Sequence, residues 1–158
     1  MIQRIQSLLF LGAALCFFAL FYFDISTFTN EAGDTVTLDL CYIKASNVAN
    51  EVVNNTYVTY APYISIVLSV GLLGTIFLYR NRKLQILVGN VFFLLNLLFL
   101  VFTLMAPDKL VSQLGTGEWK QSLGIGYYLP ILSIVLIIFA VKAIKKDEKL
   151  VKAADRLR

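Results

Sequence analysis

Four stretches of the chain run for nineteen or more positions without a charged residue: about Ile5 to Phe23, Ala61 to Tyr79, Leu84 to Ala106, and Leu123 to Val141. Apolar residues fill them in blocks, without the alternation of a half-buried strand or the stripe of a surface helix. At 1.5 Å per residue each reaches across a hydrocarbon core of about 30 Å. As helices they satisfy their backbone hydrogen bonds internally, which lipid requires. The pattern predicts an all-α membrane protein, a bundle of four transmembrane helices forming a single membrane domain over residues 1–158.

The first stretch also fits the description of a signal peptide, since Arg4 precedes an apolar run. That run ends in Phe21-Tyr22-Phe23, where a cleavage site wants small residues, and Ala13 and Ala14 sit in its middle. It is read as a retained helix.

Charge assigns an orientation. The first connection, residues 24–60, holds Asp24, Glu31, Asp34, Asp39 and Glu51 against Lys44, a net of −4. The second, Arg80-Asn81-Arg82-Lys83, carries +3, and the tail from Lys142 carries seven Lys or Arg against three acids. Asp108 and Glu118 balance Lys109 and Lys120 in the third connection. Positive flanks on alternate sides place both termini and the short turn in the cytoplasm. Tyr22, Tyr57, Tyr60, Tyr63, Trp119, Tyr127 and Tyr128 then fall near the outer boundary, where amphipathic rings prefer to sit.

In the outer loop, Ile25–Thr29 and Thr35–Ile43 read as strands around Asn30-Glu31-Ala32-Gly33-Asp34. The second alternates Val36, Leu38, Leu40 and Tyr42 against Thr35, Thr37, Asp39 and Cys41. An extracytoplasmic β-hairpin is expected there, lying on helix ends because a lone hairpin is marginal. Residues 47–59 are expected to be irregular. Pro62 and Pro130 are expected in the first turns of their spans, and Pro107 at the end of the third. The tail, residues 142–158, is expected to continue the last span as a helix, with Leu150, Ala154 and Leu157 along one stripe.

Composition changes this picture little. With 58% hydrophobic and 15% charged residues and a mean hydropathy of +0.75, the chain lacks a soluble domain's polar coat. The net charge of +4 sits beside apolar blocks, where it reports orientation and gives no reason to expect nucleic acid. There is no histidine, and Cys16 and Cys41 form no Cys-x-x-Cys, so neither a metal nor a cofactor is expected. Asn54-Asn55-Thr56 fits the glycosylation pattern, which is frequent by chance.

Asn90 and Asn96 are the most polar groups at membrane depth. Hydrogen bonding between helices, with Ser65, Ser69 or Ser133 as partners, weighs more than a polar conduction path, because residues six apart point to different faces. No acid or base lies within a span, against an ion-coupled transporter. Ser65 with Ser69, Gly71 with Thr75, and Gly12 with Cys16 offer close helix packing, within the chain or between copies. Arg4, Arg80, Arg82, Lys83, Lys145, Lys146, Arg156 and Arg158 form a basic face suited to lipid headgroups or a protein partner. An enzyme would have to use Asp24, Asp39, Asp108 or Glu118 at the outer face.

Several segments together resemble the family catalogued as domain of unknown function 4293. They are the opening Met1-Ile2-Gln3-Arg4-Ile5-Gln6-Ser7, the turn Arg80-Asn81-Arg82-Lys83-Leu84-Gln85, Tyr127-Tyr128-Leu129-Pro130, Ile144-Lys145-Lys146-Asp147-Glu148-Lys149-Leu150-Val151, and Asp155-Arg156-Leu157-Arg158. The resemblance implies a small four-span protein of the Bacteroidetes inner membrane and carries no activity. The function expected is a non-enzymatic accessory or scaffold subunit of a larger membrane complex. A channel or carrier for a small neutral solute is the alternative.

Overall fold

The computed structural model describes residues 3–31, 33–46, 56–113 and 119–156. Helices α1 (Gln3–Ala19), α2 (Thr56–Phe77), α3 (Arg82–Gln113) and α4 (Ile125–Arg156) pack in cyclic order, each against two neighbours. Three segments are long and apolar enough to cross a membrane: Val58–Arg80, Arg82–Leu110 and Ile125–Val151. The chain is therefore a multi-pass membrane protein. The apolar part of α1, Ile5–Ala19, is shorter, and the whole 17-residue helix is about 26 Å long. Past Ala19 the expected span gives way to a tightened turn. Phe21 N–H bonds Phe18 C=O at 3.2 Å and Tyr22 N–H bonds Ala19 C=O at 3.0 Å, steering the chain toward a sheet.

Small residues let the helices approach. A methyl group on Gly71 would lie 2.1 Å from the Phe92 ring, and one on Gly89 would lie 2.9 Å from Val141. Phe17 meets Phe99 edge to face at a centroid distance of 5.6 Å, and Phe10, Ala13, Ala14, Leu72 and Ile137 are fully buried around them. Val67, Phe77, Leu87 and Leu98 are exposed, the inside-out distribution of a surface that meets lipid.

The β structure is larger than a hairpin. Strands β1 (Ser26–Asn30), β2 (Thr35–Leu38), β3 (Ile43–Ser46) and β4 (Trp119–Leu123) form one antiparallel sheet in the order β3-β2-β1-β4. At the β1–β2 turn Gly33 adopts φ 87°, Asn30 N–H bonds Asp34 C=O at 3.0 Å, and Asn30 Oδ1 accepts from Glu31 N–H at 2.7 Å. Ile25, Phe28, Val36, Leu38 and Leu40 are buried in the same core as Phe17, Leu20, Ala61, Ala106 and Leu110. The sheet thus caps one end of the bundle.

Several expected boundaries move. Strand β2 stops at Leu38 because Asp39 N–H bonds Tyr42 C=O across a turn, so Asp39 is buried and Tyr42 exposed, reversing their expected faces. Leu123 belongs to β4, and α4 begins only at Ile125. Residues 56–59 are helical, which puts Pro62 inside α2 instead of in its first turn; Pro130 likewise lies inside α4. Pro107 does not end α3, which runs on to Gln113 because Ala106 and Leu110 remain buried in the core on either side of it. Residues 47–55, with the glycosylation pattern's Asn54 and Asn55, and Leu157 of the tail stripe lie outside the described residues.

Candidate functional site: a polar seam, a basic groove and an acid pair

A thin polar seam crosses the middle of the bundle. Asn96 Nδ2 on α3 donates to Ser133 Oγ on α4 at 3.0 Å, and Ser133 Oγ donates to Ala13 C=O on α1 at 3.3 Å. Ser69 Oγ on α2 donates to the adjacent Ala14 C=O at 3.0 Å. All four helices are joined in this way, through a serine or amide from three of them and the backbone of the fourth. Asn96, Ser65, Ser69 and Ser133 are fully buried. Ser65 Oγ and Asn96 Oδ1 take no hydrogen-bond partner among the described residues. In an apolar interior each such bond typically contributes about 1 kcal/mol and fixes which helix faces meet. Asn90, by contrast, is exposed on the outer side of α3. The two amides do not form one path.

A second polar set holds the far end of the bundle, away from the sheet. Gln6 Nε2 donates to Asp147 Oδ2 at 2.6 Å, with both side chains buried. This contact joins the start of α1 to the extension of α4. Gln85, also buried, donates from Nε2 to Thr75 C=O at 3.2 Å and so ties the start of α3 to the end of α2. Neither contact was singled out from the sequence. A signal for the first was present, since Ile137, Ala140, Val141, Ile144 and Asp147 follow one helical stripe and all are buried.

At this end a groove of about 650 Å³ opens between the α2–α3 turn and α4. Arg80, Asn81, Arg82 and Lys83 line it together with Leu84, Leu87, Glu148 and Val151. Lys145 and Lys146 are exposed nearby on α4. Of the other expected basic residues, Arg158 lies outside the described residues, and the same holds for the side chains of Arg4 and Arg156.

The sheet end carries opposite charge. Asp24 and Asp39 come together there, with Lys44 Nζ 3.2 Å from Asp39 Oδ2 and 4.6 Å from the Tyr42 ring centroid. Pairing with the Asp39 carboxylate raises the Asp24 carboxyl above the usual range, and desolvation acts in the same direction; Lys44 opposes them. The Lys44 ammonium is raised in turn, first by Tyr42 and then by Asp39. A neighbouring cavity of about 250 Å³ is lined by Tyr22, Phe23, Asp24, Thr27, Ser122, Leu123, Gly124 and Ile125. It reaches Asp24 and not Asp39, so it does not join two acids in one pocket. Among the described residues no cluster of three or more His, Cys, Asp or Glu is placed to hold a metal ion.

A family model described as Domain of unknown function (DUF4293) matches residues 2–157, essentially the whole chain. The chain belongs to this family. The DUF4293 match covers both ends that meet at Gln6 and Asp147, as well as the Arg80–Lys83 turn. No curated protein matches the chain.

Proposed function

We propose that this DUF4293 protein is a non-enzymatic accessory or scaffold subunit of an inner-membrane complex. Its outer α3 face receives a helix of the partner. The observation that carries the reading is Asn90, an amide exposed on a candidate span about 12 Å from the start of α3. Leu87, Val91 and Leu94 are exposed beside it, and α3 is the least buried of the three candidate spans. An amide facing lipid is costly, and an interhelical hydrogen bond is the usual way to satisfy it. The channel reading fares less well, since Asn96 is tied to Ser133 and neither amide lines the cavities described above.

In this reading α1 makes the fourth crossing, buried against α2 and α4, and the sheet lies outside with both termini in the cytoplasm. Cys41 is exposed in the turn between β2 and β3 while Cys16 is buried, so a membrane-impermeant maleimide is expected to label intact spheroplasts at Cys41. Labelling only after lysis reverses the orientation. The functional test is purification of the chain from its native membrane in mild detergent. A stoichiometric membrane partner is expected, and Asn90→Leu is expected to lower its yield. Recovery of the chain alone overturns the proposal.

A further inference from the structure

We infer that the groove at the α2–α3 turn is a binding site for the phosphate headgroup of an anionic phospholipid. Its rim carries three cations, Arg80, Arg82 and Lys83, against the single carboxylate of Glu148. Apart from Asn81 at the turn, its remaining wall is apolar, built from Leu84 and Leu87 of α3 and Val151 of α4. A ligand that satisfies both parts is an anion with a hydrocarbon chain attached. Position decides further: one candidate span ends at Arg80, the next begins at Arg82, and a third ends at Val151. The groove therefore lies where headgroups meet acyl chains, with its cations toward the former and its leucines toward the latter.

The backbone adds to this. The bond from Gln85 N–H to Asn81 C=O at 2.9 Å is the first of α3, so the amides of Arg82, Lys83 and Leu84 precede any intrahelical acceptor. The first turn contains no acidic residue. Free amides and the positive end of the helix dipole favour a phosphate at this end. Arginine's planar fork binds two phosphate oxygens at once, which gives Arg80 and Arg82 a role that lysine fills less well. The buried Gln85–Thr75 bond holds the turn's two helices in place beneath the groove. The site shares Leu87 with the α3 face around Asn90 but rests on the cations of the turn, so either assignment can fail without the other.

Native mass spectrometry of the full chain tests it, after exchange into equal mixtures of phosphatidylglycerol and phosphatidylcholine with matched acyl chains. Preferential retention of phosphatidylglycerol is expected, falling roughly fivefold for each basic residue removed in Arg80→Gln and Arg82→Gln. Lys145→Gln/Lys146→Gln, which neutralises charge outside the groove, is expected to leave retention within twofold. Glycerol 3-phosphate in solution, a headgroup without a tail, is expected to compete poorly. Arg82→Lys keeps the charge and serves as the folding control, with a partial loss expected. Equal retention of the two lipids overturns the proposal, as does an equal loss in the Lys145/Lys146 variant. Full displacement by glycerol 3-phosphate reassigns the groove to a soluble phosphate and overturns the lipid assignment.

Discussion

Replacing Gly124 with alanine probes the joint between sheet and bundle. Gly124 N–H donates to Ile25 C=O and Gly126 N–H donates to Asp24 C=O, both at 2.9 Å. These two bonds hold the chain leaving α1 against the start of α4. A Cβ on Gly124 would sit 2.1 Å from the Asp24 carbonyl oxygen and 2.8 Å from its carbon. Both are backbone atoms, so no side chain can swing aside, and the two segments must separate by about 1 Å. Overpacking of this kind costs about 1–3 kcal/mol, and each lost hydrogen bond adds about 0.5–1.5 kcal/mol. The expected total is about 3 kcal/mol, a melting temperature lowered by about 9 °C for a chain of this size. Gly74→Ala is the internal control, because a Cβ there meets nothing within 4 Å. Alanine in a helix interior is favoured over glycine by about 1 kcal/mol. Thermal unfolding in detergent, followed by circular dichroism, measures both. A Gly124→Ala protein that melts with the wild type would refute the close approach of these segments.

Asn96→Leu removes the donor of the central seam while Ser133 keeps its bond to Ala13; a loss of about 1 kcal/mol is expected. A double-mutant cycle with Ser133→Ala should recover most of it as coupling, and purely additive effects would contradict the contact. Asp147→Ala strands the buried Gln6 amide and is expected to cost about 1–3 kcal/mol, with Asp147→Asn costing less because Asn Oδ1 still accepts. Proteolytic release of the α4 extension reports this. The raised Asp24 carboxyl fixes the sign of one pH effect. The folded protein keeps that proton to higher pH than the unfolded chain does. The stabilisation is therefore full below the ordinary carboxylate pKa, about 3.9, and is lost as pH rises through the raised value. Asp24→Asn should flatten this part of the stability profile, and an unchanged profile would dissociate the pair.

The apolar blocks were legible because lipid imposes length and continuity on any helix that crosses it, and α2, α3 and α4 show both. A polar group at that depth has few alternatives to an interhelical bond, but the sequence left Ser65, Ser69 and Ser133 open as partners, and it is Ser133 that Asn96 meets. Strand β4 was not. It is an edge strand exposed from Lys120 to Leu123, so its sequence shows no buried face and its pairing with β1 comes from far along the chain. The reversal of Asp39 and Tyr42 was hidden for a related reason. A turn between them breaks the period of two, and Asp39 is drawn in by Lys44 and Asp24. The continuation of α3 beyond Pro107 depended on tertiary burial of Leu110, which overrode the local preference for a stop.

Photo-crosslinking in native membranes tests the scaffold reading most directly. A benzoyl-phenylalanine at position 90 on α3 is compared with one at position 70 on α2, where Val70 is also exposed. The account predicts a discrete adduct with another membrane protein from position 90 and only lipid adducts from position 70. Lipid adducts alone from both positions would contradict it, and so would an adduct of two copies of the 17.7 kDa chain.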